Sequence, residues 1–376
     1  MFRPLFDKLK ISREKLAWVL DSTSSPVAIM IPFIGWGVYI MGLIQAEFEN
    51  LGVAESDYTT FVRAIPFQFY AILAIIMIPL VAFTKLDFSQ MKKAEMRAEK
   101  ENRAADLVQE EIVHEIKNGY SLKHAKPIMV ILPIVVVFAT LFGTLAPLGF
   151  PFAKVDGNAF RVALTMGYFF GAAVLMALIC LFKVMDFNET FKVYVGGMKG
   201  MTDVAITLIL AWSLGKMISG LGTAEFIVKF LQDMSFSASL VPAAVFLFGA
   251  FISFSTGSSW GTFAIMMPLA IPMAHAFGIP FYIAVGAVLS GGLFGDHCSP
   301  ISDTTILSST GAGCGLVEHI KTQLPYAAVN GTIAFIAYII TGLTGSEAAL
   351  GFAVIALIVV VAVLNRISAA RLAGKE

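Results

Sequence analysis

The chain has 376 residues, of which 57% are hydrophobic and 14% charged, with 26 basic side chains against 26 acidic ones. Soluble domains carry about 45–50% apolar and about 25% charged residues, so both figures place this chain in a membrane. A formal net charge of zero leaves no electrostatic footprint for nucleic acid. Cys180, Cys298 and Cys314 fit no zinc framework by spacing and no disulfide set by count.

Apolar windows of about 20 residues suffice to cross a hydrocarbon core of about 30 Å. In chain order they fall at 24–45, 61–84, 127–150, 160–182, 200–220, 239–275, 281–312, 322–343 and 347–364. They spread over the whole chain, whereas a cleaved signal gives a single short run near the start. Windows 239–275 and 281–312 are too long for one straight crossing and are interrupted by small and polar residues. A bilayer tolerates such breaks only where protein buries them or water reaches them, so they mark the candidate pathway. Lysine and arginine gather at Arg3, Lys8, Lys10, Arg13 and Lys15, in the connection 85–126, and at Arg366, Arg371 and Lys375. The connection 46–60 instead holds Glu47, Glu49, Glu55 and Asp57 with no basic residue. Both termini are therefore expected in the cytoplasm, with an even number of crossings. The expected fold is an all-α polytopic membrane protein of about eight transmembrane helices plus a re-entrant or broken hairpin. Its expected parts are a first membrane unit, 1–84, a charged cytoplasmic connector, 85–126, and a second membrane unit, 127–376, that carries both polar breaks.

A charge at the bilayer centre costs about 2.5–3.5 kcal/mol on insertion scales, which makes intramembrane carboxylates functional candidates. The run from Gly291 to Thr305 contains two, Asp296 and Asp303. Pro300 lies between them and should open the helix, because it lacks an amide donor and clashes with the preceding turn. The opened backbone, both carboxylates and the hydroxyls of Ser299, Ser302, Thr304 and Thr305 form an oxygen-rich set for a hard cation such as Na+. Asp303 also reads as a helix N-cap. The side chains of Asp296, His297 and Cys298 diverge, as adjacent residues do, which disfavours a zinc site and a Cys/His catalytic pair. The chain is therefore not expected to be an enzyme. The other break carries Thr256, Gly257, Ser258, Ser259, Trp260 and Gly261 between apolar halves, a second hinge of ligand grade. Residues Asp21-Ser22-Thr23-Ser24-Ser25-Pro26 leading to Ala28-Ile29-Met30-Ile31-Pro32 echo Ser255-Thr256-Gly257-Ser258-Ser259 leading to Ala264-Ile265-Met266-Met267-Pro268. With five crossings before the second copy, this is the pattern of an inverted repeat whose site lies where the broken segments meet, which adds Asp21, Ser22 and Thr23 to the ion- or substrate-binding candidates.

The stretch from Gly295 to Ser309, with Thr256 to Phe263 before it, resembles the signature of the NhaC-type sodium/proton antiporter family of the ion transporter superfamily. Arg13-Glu14-Lys15-Leu16-Ala17, followed by Asp21-Ser22-Thr23 and Pro26, resembles that family's first-half motif. The resemblance implies a secondary active transporter exchanging Na+ for H+, with no cofactor beyond the transported ions. It carries over Asp296, Ser299, Asp303, Thr304 and Thr305 with Thr256, Ser258, Ser259 and Trp260 as site residues. It also implies membrane segments upstream of Arg13, so the chain is expected to lack the family's beginning. Where the family places serines before a tryptophan, this chain has Ile34-Gly35-Trp36-Gly37. The expected mechanism is competition of Na+ and H+ for one carboxylate, with Asp303 as the exchanging acid and Asp296 holding the cation, or the two roles reversed. Two alternatives stand beside it: coupled transport of malate, lactate or an amino acid, and an inactive membrane subunit. The broken segments contain no arginine or lysine to pair with an organic anion. The expected partners are inorganic cations and the lipid bilayer, with homo-oligomerisation left open and no nucleic acid. The expected location is integral to a membrane, with multiple passes, and in a bacterium that would be the cytoplasmic membrane.

Overall fold

The computed structural model describes residues 2–100, 126–150, 157–200, scattered positions of 202–220, and 221–373. The helices run α1 (Arg3–Lys8), α2 (Arg13–Ala28), α3 (Gly35–Leu51), α4 (Asp57–Ala64), α5 (Phe69–Thr84), α6 (Ser89–Lys100), α7 (Ile128–Leu145), α8 (Gly157–Leu181) and α9 (Phe187–Gly200). They continue with α10 (Thr223–Asp233), α11 (Val241–Thr256), α12 (Ser259–Phe277), α13 (Phe281–Cys298), α14 (Asp303–Ala312), α15 (Leu316–Thr344) and α16 (Ala348–Ala373). No described residue is in a strand.

Among the described residues, seven spans are long and apolar enough to cross a membrane: Ile128–Leu148, Val162–Leu181, Ala238–Thr256, Ser259–Phe277, Phe281–Cys298, Leu316–Thr344 and Ala348–Arg366. The pair Asp57–Phe67 and Phe69–Thr84, bent by 46°, makes an eighth if it crosses as one. The expected all-α polytopic fold of about eight crossings is thus the fold observed. Several boundaries differ from the apolar windows. Window 24–45 is divided between α2 and α3, because the helix stops at Ala28 and restarts at Gly35 beyond Pro32. Window 239–275 becomes two helices, each of full crossing length. Window 322–343 starts late, because α15 already begins at Leu316. Window 200–220 lies largely outside the described residues.

The chain divides into two compact units, Met1–Arg103 with Ala211–Glu376, and Ala104–Leu210. In the first unit α13 is buried along most of its length. It lies against α11 because Gly291 and Gly295, one helical turn apart, present bare backbone there: a β-carbon on either would collide with the carbonyl of Phe246 or Ala250. Small residues at this spacing are the usual means of close helix approach in lipid. The Tyr338 hydroxyl on α15 donates to Gly286 O at 2.8 Å and so ties α15 to the same helix. At one end of α2, Ser12 donates to Glu95 on α6 at 2.6 Å, and Lys15 pairs with Asp87 at 2.9 Å. In the second unit, Gly167 and Gly171 of α8 face Val137 and Pro133 of α7. Val130, Ile134 and Phe169 are exposed on these two helices, as suits side chains covered by hydrocarbon.

Candidate cation site

Two interrupted helices of the first unit meet at their breaks. Between α11 and α12 the chain turns at Gly257, whose φ of +66° is left-handed, and Ser258 then caps α12 by accepting from Gly261 N at 3.2 Å. Between α13 and α14 it opens at Ser299–Ser302 around Pro300, and Ser302 caps α14 by accepting from Thr305 N at 3.3 Å. The cap is therefore Ser302, one residue before Asp303. A β-carbon on Gly257 would sit 2.6 Å from Ile301 O, and the Ser299 hydroxyl donates to Phe254 O at 2.8 Å, so the breaks are packed against each other.

A cavity of about 540 Å³ opens at this junction. Ser258, Ser259, Trp260, Asp296, Asp303 and Thr304 line it, together with Ser24, Ser25, Trp36 and Ser308. Asp296 is 1% exposed, and its Oδ2 accepts from the Thr304 hydroxyl at 2.9 Å. The Thr304 hydroxyl is in turn 3.1 Å from that of Ser302. Asp303 is exposed on the first turn of α14 and lines the same cavity. Trp260 stacks on Tyr39, with ring centroids 4.7 Å apart, and approaches Trp36 to 4.8 Å.

The structure divides the remaining candidates. Thr256 and Thr23 are exposed and donate to carbonyls of their own helices, Ile252 O at 2.9 Å and Val19 O at 2.6 Å. Ser22 is buried in α2, and neither it nor the two threonines lines the cavity. Asp21 and Thr305 meet each other, the hydroxyl donating to Oδ2 at 3.2 Å. Asp21 also accepts from Ser308 at 3.3 Å and from Gln323 at 2.6 Å, and His319 Nε2 approaches it to 3.6 Å. Ser308, His319 and Gln323 escaped the sequence reading. His319 and Gln323 stand four residues apart and so share one face of α15, a signal hidden because the apolar window began after His319.

A sequence profile of the Na+/H+ antiporter family matches residues 27–343. The chain belongs to the Na+/H+ antiporter family. An uncharacterised protein of Haemophilus influenzae is 35% identical over 374 residues, which is 96% of this chain and 69% of that protein. An uncharacterised Na+/H+ antiporter of the same organism is 29% identical over 211 residues, 55% of this chain and 42% of the relative. A malate-2H+/Na+-lactate antiporter of Bacillus subtilis is 31% identical over 125 residues, 33% of this chain and 26% of the relative. No solved structure matches. The family and its named relatives are transporters rather than enzymes, and cation/proton antiport is their common theme.

Proposed function

We propose that the chain exchanges Na+ for H+ across the membrane by alternating access, with Asp296 as the exchanging acid. The observation that carries this reading is a carboxylate 1% exposed that still lines a cavity. Among the described residues lining that cavity, none is lysine or arginine. A carboxylate buried without a fixed counter-charge needs either a proton or a mobile cation, because the bare charge is costly away from water. The two occupants exclude each other: a bound proton removes the charge that holds Na+, and bound Na+ supplies the balance that the proton gave. The hydroxyls of Thr304, Ser258 and Ser259 supply neutral oxygens, which suit a hard cation. In this reading the roles first preferred for the two aspartates are exchanged: buried Asp296 carries the exchange, and exposed Asp303, on the same cavity, serves to draw the cation in.

The test is purified protein in vesicles with an internal pH dye, driven by a Na+ gradient. Asp296→Asn should abolish Na+-driven proton movement, and Asp303→Asn should weaken it. Wild-type exchange by Asp296→Asn overturns the reading.

One observation favours a second reading. About 540 Å³ is far more room than a bare cation fills, and Trp36 and Trp260 line it. A small organic ion moving with Na+ or H+ fits that space. Counterflow of labelled malate, lactate or amino acids, with no Na+-driven proton movement, would select it.

A further inference from the structure

Behind the cavity lies a second buried polar cluster, whose Asp21 and His319 do not line it. Asp21 and His319 are both 0% exposed, with Gln323, His297 and Tyr70 beside them at 2% or less. Asp21 takes its hydrogen bonds from neutral donors, Gln323, Thr305 and Ser308. His319 Nε2 stands 3.6 Å from Asp21 Oδ2, and neither imidazole nitrogen of His319 has a hydrogen-bond partner among the described residues. The other titratable groups facing the pair are His297 on α13, whose Nδ1 is 3.0 Å from the Tyr70 hydroxyl of α5, and Asp296 one position before it. No lysine or arginine among the described residues pairs with Asp21. A buried carboxylate with neutral donors and an adjacent imidazole is balanced when the two share one proton.

We propose that Asp21 and His319 form a proton-transfer pair that passes protons to and from Asp296, the carboxylate that takes Na+, and is coupled to it through α14. The coupling element is short: Thr304 donates to Asp296 and its neighbour Thr305 donates to Asp21. Movement of the first turn of α14 thus changes the surroundings of both acids at once. The pair itself is closed off, but its neighbours line two openings. Ser308, which donates to Asp21, lines the cavity. On the other side a crevice of about 360 Å³ is lined by Glu14 of α2 and by Glu318 and Thr322, which flank His319 on α15. This inference rests on the Na+/H+ reading above, and the experiment separates the two.

In vesicles, equilibrium exchange of 22Na+ for Na+ needs no proton movement, whereas Na+-driven internal pH change does. Asp21→Asn and His319→Gln keep size and polarity. Each should lower Na+-driven proton movement by about tenfold or more, the scale of losing a proton-transfer group. Each should retain 22Na+ exchange near the wild-type rate, which also shows that it is folded. Asp296→Asn should lose both activities. The proposal is overturned if both pair variants move protons like wild type, or if they lose 22Na+ exchange together with Asp296→Asn. Absence of 22Na+ exchange by the wild type would overturn the Na+/H+ reading itself, and the pair's role with it.

Discussion

Thr304 and Thr256 are both hydroxyls beside a helix break, and only one faces the ion's space. The Thr304 hydroxyl donates to Asp296 at 2.9 Å, whereas that of Thr256 is committed to Ile252 O. Leaving a buried acceptor short of its donor costs about 1–3 kcal/mol, and about 1.4 kcal/mol is a tenfold change in binding. Thr304→Val should therefore raise the Na+ concentration for half-maximal exchange about tenfold. Thr256→Val should leave it unchanged, and equal effects of the two would show that the cavity is not the ion's site. The same contrast explains how far the site could be read from the sequence. Gly257, Pro300 and Asp296 act on their own backbone or carry an isolated charge, so their meaning is local and visible in the run of residues. Which hydroxyls turn inward depends on the helix that happens to lie opposite, and no spacing rule supplies that. Asp21 was noticed as part of a motif, but its partners Ser308, His319 and Gln323 come from nearly 300 residues away, as in the Asp21–Gln323 separation of 302.

The helices around the site are held close by small residues, and this makes a prediction about packing. On α13 a β-carbon at Gly295 would meet Ala250 O and lie 2.7 Å from Phe254 N, with both atoms on the backbone of α11. Neither helix can yield without disturbing the break that follows it at Gly257 or Ser299. Overpacking of this kind costs about 1–3 kcal/mol. Gly351 on α16 has nothing within 4 Å of its missing β-carbon and is exposed. Alanine there gains up to about 1 kcal/mol of helix propensity. In detergent, Gly295→Ala should lower the thermal midpoint by several degrees and Gly351→Ala should hold or raise it. The pair is read by the fraction surviving heating on a size-exclusion column. A fall with Gly351→Ala equal to that with Gly295→Ala would mean that general glycine flexibility, not the α11–α13 contact, is at stake. The apolar windows showed that helices exist here but blurred their ends, because hydropathy averages across a two-residue turn such as Gly257-Ser258.

At the scale of the molecule, α3, after the first break, carries Trp36-Gly37 in its first turn, and α12, after the break at Gly257, carries Trp260-Gly261 in its first turn. The earlier pairing of Asp21–Pro32 with Ser255–Pro268 is offset from this, since Asp21–Pro26 lie inside α2 while Gly257 is the turn itself. Aligning the segments on Trp-Gly places break on break, with the two tryptophan rings 4.8 Å apart. An inverted repeat requires that these segments enter from opposite faces, and the first can be tested directly. The 17 residues of α3 span about 25 Å at about 1.5 Å each. With the 16 residues of α2 before it, the chain has helix enough to cross between Lys10 and Asn50. Lys10 lies in the basic, exposed turn before α2, and Asn50 is exposed at the end of α3 beside the acidic connection. Cys180 and Cys298 are replaced by serine for the experiment. Cys314 can remain, because burial pushes its thiol up to about 12 and leaves it protonated and a poor nucleophile at neutral pH. A membrane-impermeant maleimide should then label Asn50→Cys in intact cells, and Lys10→Cys only after permeabilisation. Labelling of both from outside would remove the crossing, whereas the reversed order would keep the crossing and overturn the cytoplasmic N-terminus.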